Sequence, residues 1–235
     1  MAATEAEPAP EPQPAFEPFS TLKSYDISDQ LEESGSWFKI LRAPLLVLLL
    51  IILSIVGFHY YQRTKFVNKV SSTLAQDAAL IEEIGSYEKN NRTINYQEAI
   101  RKCNEQVRKR DGFIELLNAA DPYLYKKVLD DSIALLRAEN DYVKAKRNYY
   151  ENVFLWKTAR EQDEMIKRMQ SGKTENVNLS IQELGPETEA IKEARAKVAA
   201  AVDAVNKARE LLSQAAKDFI DLPSQSQLIV PETIK

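Results

Sequence analysis

This chain is nearly without histidine, cysteine and glycine, and each scarcity excludes a chemistry. Of 235 residues, one is His, one is Cys and six are Gly. The single histidine, His59, ends an apolar run beside Tyr60, which places it at a membrane boundary rather than in a Ser-His-Asp or Cys-His site. Metal sites built on several His or Cys are excluded by count. Cys103 alone cannot form an intrachain disulfide and reads as a small buried apolar residue. Ser171-Gly172-Lys173-Thr174 imitates the end of a phosphate loop, but that loop needs Gly at 167, where this chain has Lys167. No catalytic residue, cofactor or metal ligand is expected.

Strong charge is also missing. The net charge is −4, so no bulk attraction to nucleic acid arises. Residues 144–157, KAKRNYYENVFLWK, mix bases with aromatics as some nucleic-acid surfaces do. Their aromatics fall at helical spacing, however, which reads as core with Lys and Arg stems around it. Glu82-Glu83 and Glu161, Asp163 and Glu164 read as solvated helix faces. Neither nucleic acid nor a small-molecule substrate is expected as a partner.

What is present is unevenly placed. Five of the ten prolines sit in MAATEAEPAPEPQPAFEPF, and residues 1–42 carry a net −5, leaving +1 for the rest. Alternating Pro with Ala, Glu and Gln cannot bury a core, so residues 1–36 are predicted to be a disordered acidic tail. Its acidic start is the opposite of a signal peptide's basic one. Then comes a long apolar run. Residues 43–61 hold no formal charge over 19 positions, a helix of about 28 Å that matches a bilayer's hydrocarbon core. Trp37, Tyr60 and Tyr61 lie where interfacial aromatics belong, flanked by Lys39, Arg42, Arg63 and Lys65. These features predict a retained signal-anchor and a lipid partner. Flanking bases are tied, so orientation rests on the usual insertion of a single anchor before a large C-terminal domain. The tail is then cytoplasmic and the remainder periplasmic or extracellular.

The rest predicts an all-α, elongated antiparallel bundle with coiled-coil-like packing over 62–222. Its four helices span about 62–89, 94–120, 122–170 and 187–222, and an extended tail follows over 223–235. Phe66, Val70, Leu74, Ile81 and Ile84 form the first apolar line. In the second helix, Ile100, Cys103, Val107 and Ile114 repeat at 4-3 spacing, broken by Arg110, which reads as an exposed edge. Asp121-Pro122 is expected to open the third helix. Its stripe includes Leu135, Ala138, Tyr142, Ala145, Tyr149, Asn152 and Trp156, with a second line through Leu129, Ile133, Leu136, Val143, Tyr150 and Phe154. The fourth helix repeats Ile191, Val198, Val205, Leu212 and Phe219 at a, with Ala194, Ala201, Ala208, Ala215 and Leu222 at d. Small Ala needs bulk opposite, which Tyr142, Tyr149 and Trp156 supply. Apolar Val202, Ala204, Leu211 and Ala216 beside the seam call for a second neighbour, from this chain or another copy.

Two apolar groups are candidate partner contacts: Val177, Leu179 and Ile181 in the connector before the last helix, and Leu228, Ile229 and Val230 on the tail. Residues 138–153, AENDYVKAKRNYYENV, resemble a late helix of the LemA family of membrane-anchored helical-bundle proteins. That family's earlier motif, with its Trp and Leu-Ile-Pro-Asn run, has no counterpart here, and the last predicted helix lies beyond the family's bundle. No residue role is carried over. The pattern favours a non-enzymatic single-pass protein acting as scaffold, spacer or assembly subunit of a membrane complex, with other proteins or its own copies as partners. The alternative is a sensory module that signals through the anchor.

Overall fold

The structure, a computed structural model, describes residues 27–90, 94–122, 124–172, 179, 184–217, 222–223 and 228–232, with backbone alone for 27–41 and Asn90. Most of the tail, and Val177, Ile181 and Phe219, lie outside the described residues, as does the Trp37 side chain. Four helices account for most of the described chain: α1 (Ile27–Asn90), α2 (Tyr96–Asn118), α3 (Lys126–Gln170) and α4 (Glu189–Ala216). No strand occurs among the described residues. The chain divides into two units, Met1–Val56 and Gly57–Lys235.

The first unit holds the apolar run. α1 begins at Ile27, inside the stretch expected to be disordered. Gln30, Leu31, Glu32 and Glu33 are good helix formers, and acids near a helix N-terminus favour its dipole. Pro44 lies well inside this helix. Within Arg42–Lys89 one window is long and apolar enough to cross a membrane, with a mean hydropathy of 2.3 and none of it buried.

The second unit is built on antiparallel neighbours. Side-chain pairs from α1 to α2 run in opposite order: Asp77 with Arg110, the Leu80 carbonyl with Gln106, and Glu83 with Lys102. α2 meets α3 through Asn104–Arg147 and Asp111–Asn140, again in opposite order. α1 and α3 are parallel, joined near one end by Phe66 stacked on Tyr125 and near the other by Glu88 with Lys146. α4 meets α3 through Arg209 and Glu139. Between the helices Val70, Cys103, Leu117, Leu136, Val143, Val153, Ile191, Val198 and Val205 are wholly or almost wholly buried. Full burial of a large aliphatic side chain contributes roughly 1.5–3 kcal/mol.

The helix ends follow local chemistry. Asn95 caps α2, its Oδ1 accepting the Glu98 N–H at 3.2 Å, and Thr188 caps α4 by accepting from Ile191 at 3.4 Å. Gly172, just past α3, has φ +78°, the left-handed geometry of a helix stop. α3 starts at Lys126 rather than Pro122, because Pro122 instead accepts the Tyr125 N–H in a turn that brings the Tyr125 ring to Phe66. α4 ends at Ala216, so Leu222 is half-buried but not helical.

The third helix's seam lies one residue later than its alanines suggested. Leu135, Tyr142, Tyr149 and Trp156 are buried as expected, but the line beside them is Ser132, Glu139, Lys146 and Val153. Ala138, Ala145 and Asn152 are half-buried. On α4, Ile191, Ala194, Val198, Val205 and Leu212 are buried, while Ala201, Ala208 and Ala215 are half-buried and Arg209 and Ala216 are buried. The buried face drifts from d to e along the helix. A straight helix of 3.6 residues per turn slips about 20° per heptad against a 3.5-residue repeat.

Candidate functional site: a charge cluster shared by four helices

Each helix of the second unit sends one charged side chain to a common interior point. α1 supplies Asp77, α2 Arg110, α3 Glu139 and α4 Arg209, and all four are buried. Arg110 Nε donates to Asp77 Oδ1 at 2.5 Å, and Arg209 Nη2 donates to Glu139 Oε1 at 2.9 Å. The Glu139 carboxyl also lies close enough to Asp77 to feel its charge. Burial comes first in holding Glu139 well above the usual carboxylate range, followed by the nearness and charge of Asp77, while Arg110 and Arg209 pull the other way.

Polar neighbours extend the cluster. Gln106 donates to the Leu80 carbonyl, and Asn140 donates to Asp111 at 2.7 Å. Among the described residues nothing accepts from Arg110 Nη1 or Nη2, although this side chain has no exposed surface. The guanidinium is therefore held by one acceptor and by the charge of its surroundings. A buried pair of this kind adds little net stability when intact, yet loss of one partner strands the other charge in a low dielectric.

A second polar layer lies further along α3. Lys146, with no exposed surface, pairs with Glu88 Oε2 at 2.5 Å, and the Tyr150 hydroxyl donates to Glu88 Oε1. Lys146 also sits 5.4 Å from the centre of the Tyr142 ring. Burial raises the Glu88 carboxyl, and Lys146 partly restores it. Cys103 is buried nearby, its thiol pushed up to about 12 by burial. Beyond it, Glu187 pairs with Arg195 at 2.7 Å.

Arg110 is thus corrected from exposed edge to cluster member: it breaks the apolar spacing because Asp77 waits opposite. Asp77 stands between Leu74 and Ile81 at the same seam register, and Glu139 and Lys146 repeat seven residues apart, so polar residues at heptad positions were the available signal. The expected membrane-interface residues Tyr60 and Tyr61 are exposed. Of the candidate partner contacts, Leu179 packs on the core and donates its N–H to Glu161 at 3.2 Å. Leu228 and Ile229 are half-buried against this chain's own helices, and Val230 is exposed. The carboxylates at 82, 83 and 163 are exposed, and those at 161 and 164 are half-buried in ion pairs with Lys157, Lys167 and Arg168. Ala204 and Leu211 on α4 are exposed. No protein-family model, curated protein or solved structure matches this chain.

Proposed function

We propose that this chain is a non-enzymatic single-pass membrane protein whose helical domain serves as a scaffold, spacer or assembly subunit of a membrane-associated complex. The observation that carries the membrane part is the exposure of the apolar run. Twelve large apolar side chains between Leu45 and Phe58 are 47–61% exposed. Moving them from water to lipid is worth on the order of 10 kcal/mol. The scaffold part is supported by the ionisable interior. Asp77, Glu88, Arg110, Glu139, Lys146 and Arg209 pair with one another across helices, an arrangement that ties elements together. The tail is assigned to the cytoplasm and the bundle to the opposite side.

A lysine-reactive crosslinker that cannot cross membranes, applied to intact cells, tests this. Lysines between 65 and 217 linked to other proteins are the expected result. Links only among copies of this chain make it a self-assembling stalk. Labelling only after the cells are opened reverses the orientation. Release of the chain by an alkaline carbonate wash refutes the span.

The sensory alternative keeps one supporting observation: α1 itself carries Asp77 into the charge cluster. Deletion of residues 1–35 without effect on a cellular output removes that alternative.

A further inference from the structure

After α4 the chain returns over the bundle. Residues 228–232 belong to no helix or strand and lie against three helices. The Tyr142 hydroxyl of α3 donates to the Ile229 carbonyl and accepts the Ile229 N–H, both at 3.1 Å. One side chain thereby satisfies both backbone groups of a residue that has no strand beside it. On α1, Gly85 faces the Ile229 Cδ1, which lies 3.8 Å from where a Cβ would stand. At that distance a Cβ would be in ordinary van der Waals contact, so the Gly85 backbone and the Ile229 side chain pack closely here. On α4, Arg195 Nη1 reaches the Glu232 carbonyl at 3.5 Å. Leu228 adds apolar contact with the core, whereas Val230 faces out.

The grip is light compared with a helix. It consists of one hydroxyl used twice, one long hydrogen bond and two apolar side chains. Leu222 is itself packed on the core, and the five residues 223–227 between it and Leu228 span up to about 17 Å, so the strap can leave without unwinding α4. The recognition is also generic. Backbone groups are read by a hydroxyl and the Ile229 side chain by close packing against α1 at Gly85, a chemistry that other apolar segments of similar shape satisfy.

We infer that the groove lined by Gly85, Tyr142 and Arg195 is a binding site for extended apolar peptide, and that residues 228–232 are its resident, releasable occupant. The strap is an internal ligand. A partner segment of the same chemistry, extended and with a β-branched residue at the centre, displaces it. This names how the assembly role proposed above recruits its partner and rests on that role for the partner alone. Occupancy of the groove is tested on the isolated chain, so its failure leaves the membrane scaffold standing.

The probe is a fluorescent peptide of residues 228–235, LIVPETIK, titrated against the full chain in detergent. Ile229→Asp in the chain frees the groove while leaving every groove residue in place. This variant is expected to bind the peptide saturably, and the unsubstituted chain at least tenfold more weakly. A peptide carrying the same Asp is expected not to bind. Equal binding to both chains, or none to an Ile229→Asp chain whose helical circular dichroism is intact, overturns the inference. Hydrogen exchange on the unsubstituted chain gives an independent reading should the variant misfold. The Ile229 amide is expected to exchange at least tenfold faster than α3 amides around Tyr142, and Tyr142→Phe to speed Ile229 further without affecting α1 at Val70. Equal protection of strap and α3 means the strap opens only with the whole bundle, and refutes release.

Discussion

Replacing Arg110 with methionine should destabilise the bundle far more than an ordinary surface change. Methionine keeps part of the unbranched apolar stem but is shorter and removes the charge. Asp77, only 2% exposed, then loses the donor that reaches it at 2.5 Å and remains beside Glu139. Removal of one partner from a buried pair costs about 3–5 kcal/mol. In a protein of this size that is roughly a 10 °C fall in Tm. The melt is followed by helical circular dichroism on the full chain in detergent, at pH 7 and pH 4.5. The deficit should shrink at the lower pH. A buried carboxylate that has lost its counter-charge relieves the cost only by taking up a proton, which lower pH favours. Adding Asp77→Leu should restore at least half of the loss, because no carboxyl is then left without its donor while Arg209 still donates to Glu139. A loss below about 1 kcal/mol, or one that is the same at both pH values, would show that the cluster is solvated and refute the reasoning.

Glu139→Gln mimics the protonated acid and tests the raised carboxyl. Glu139 is raised in the folded state, so its contribution is full below the unfolded pKa and is lost as pH rises through the folded one. The variant should match the unsubstituted chain near pH 4 and exceed its stability at pH 8, by about 1.4 kcal/mol for each unit of elevation; a less stable variant at pH 8 contradicts the assignment. On α4, Leu212 is 1% exposed and its neighbour Leu211 is 44% exposed. Leu212→Ala should cost about 2–5 kcal/mol and Leu211→Ala about 0.5 kcal/mol or less by chemical denaturation, and comparable losses would mean that a partner or another copy covers the Leu211 face. Cys103 has no exposed surface and a thiol pushed up to about 12. Maleimide at pH 7.5 should label it only after denaturation, and rapid labelling of the native chain would place it outside the core.

The apolar framework was legible because it depends on spacing alone. Val70, Leu74, Ile81 and Ile84 repeat at intervals that put them on one helix face, and all are buried. The Ile191–Leu212 stripe is equally plain, and its partners Tyr142, Tyr149 and Trp156 are buried too. The polar interior was not legible. A charged residue at a seam position is ordinarily a sign of solvent, and only the opposite charge on another helix reverses that meaning. Arg110 becomes interior once Asp77 is placed across from it, and Glu139 once Arg209 is. Such pairings join residues 33 and 70 positions apart, and no local pattern reports them. The alanines of α3 misplaced the seam for a related reason, since apolar character was weighed without the paired Glu139 and Lys146 one residue on.

The four-helix cluster also bears on how the bundle comes together. Asp77 without Arg110, or Glu139 without Arg209, loses the donor that reaches it in the finished bundle. Each incomplete assembly that buries one of these groups without its partner does so at a cost of several kcal/mol. Partly docked states are raised in energy relative to both the open chain and the finished bundle. The last helix to arrive supplies the missing hydrogen-bond partner, so the cluster favours a closing of the domain in which all four helices dock together.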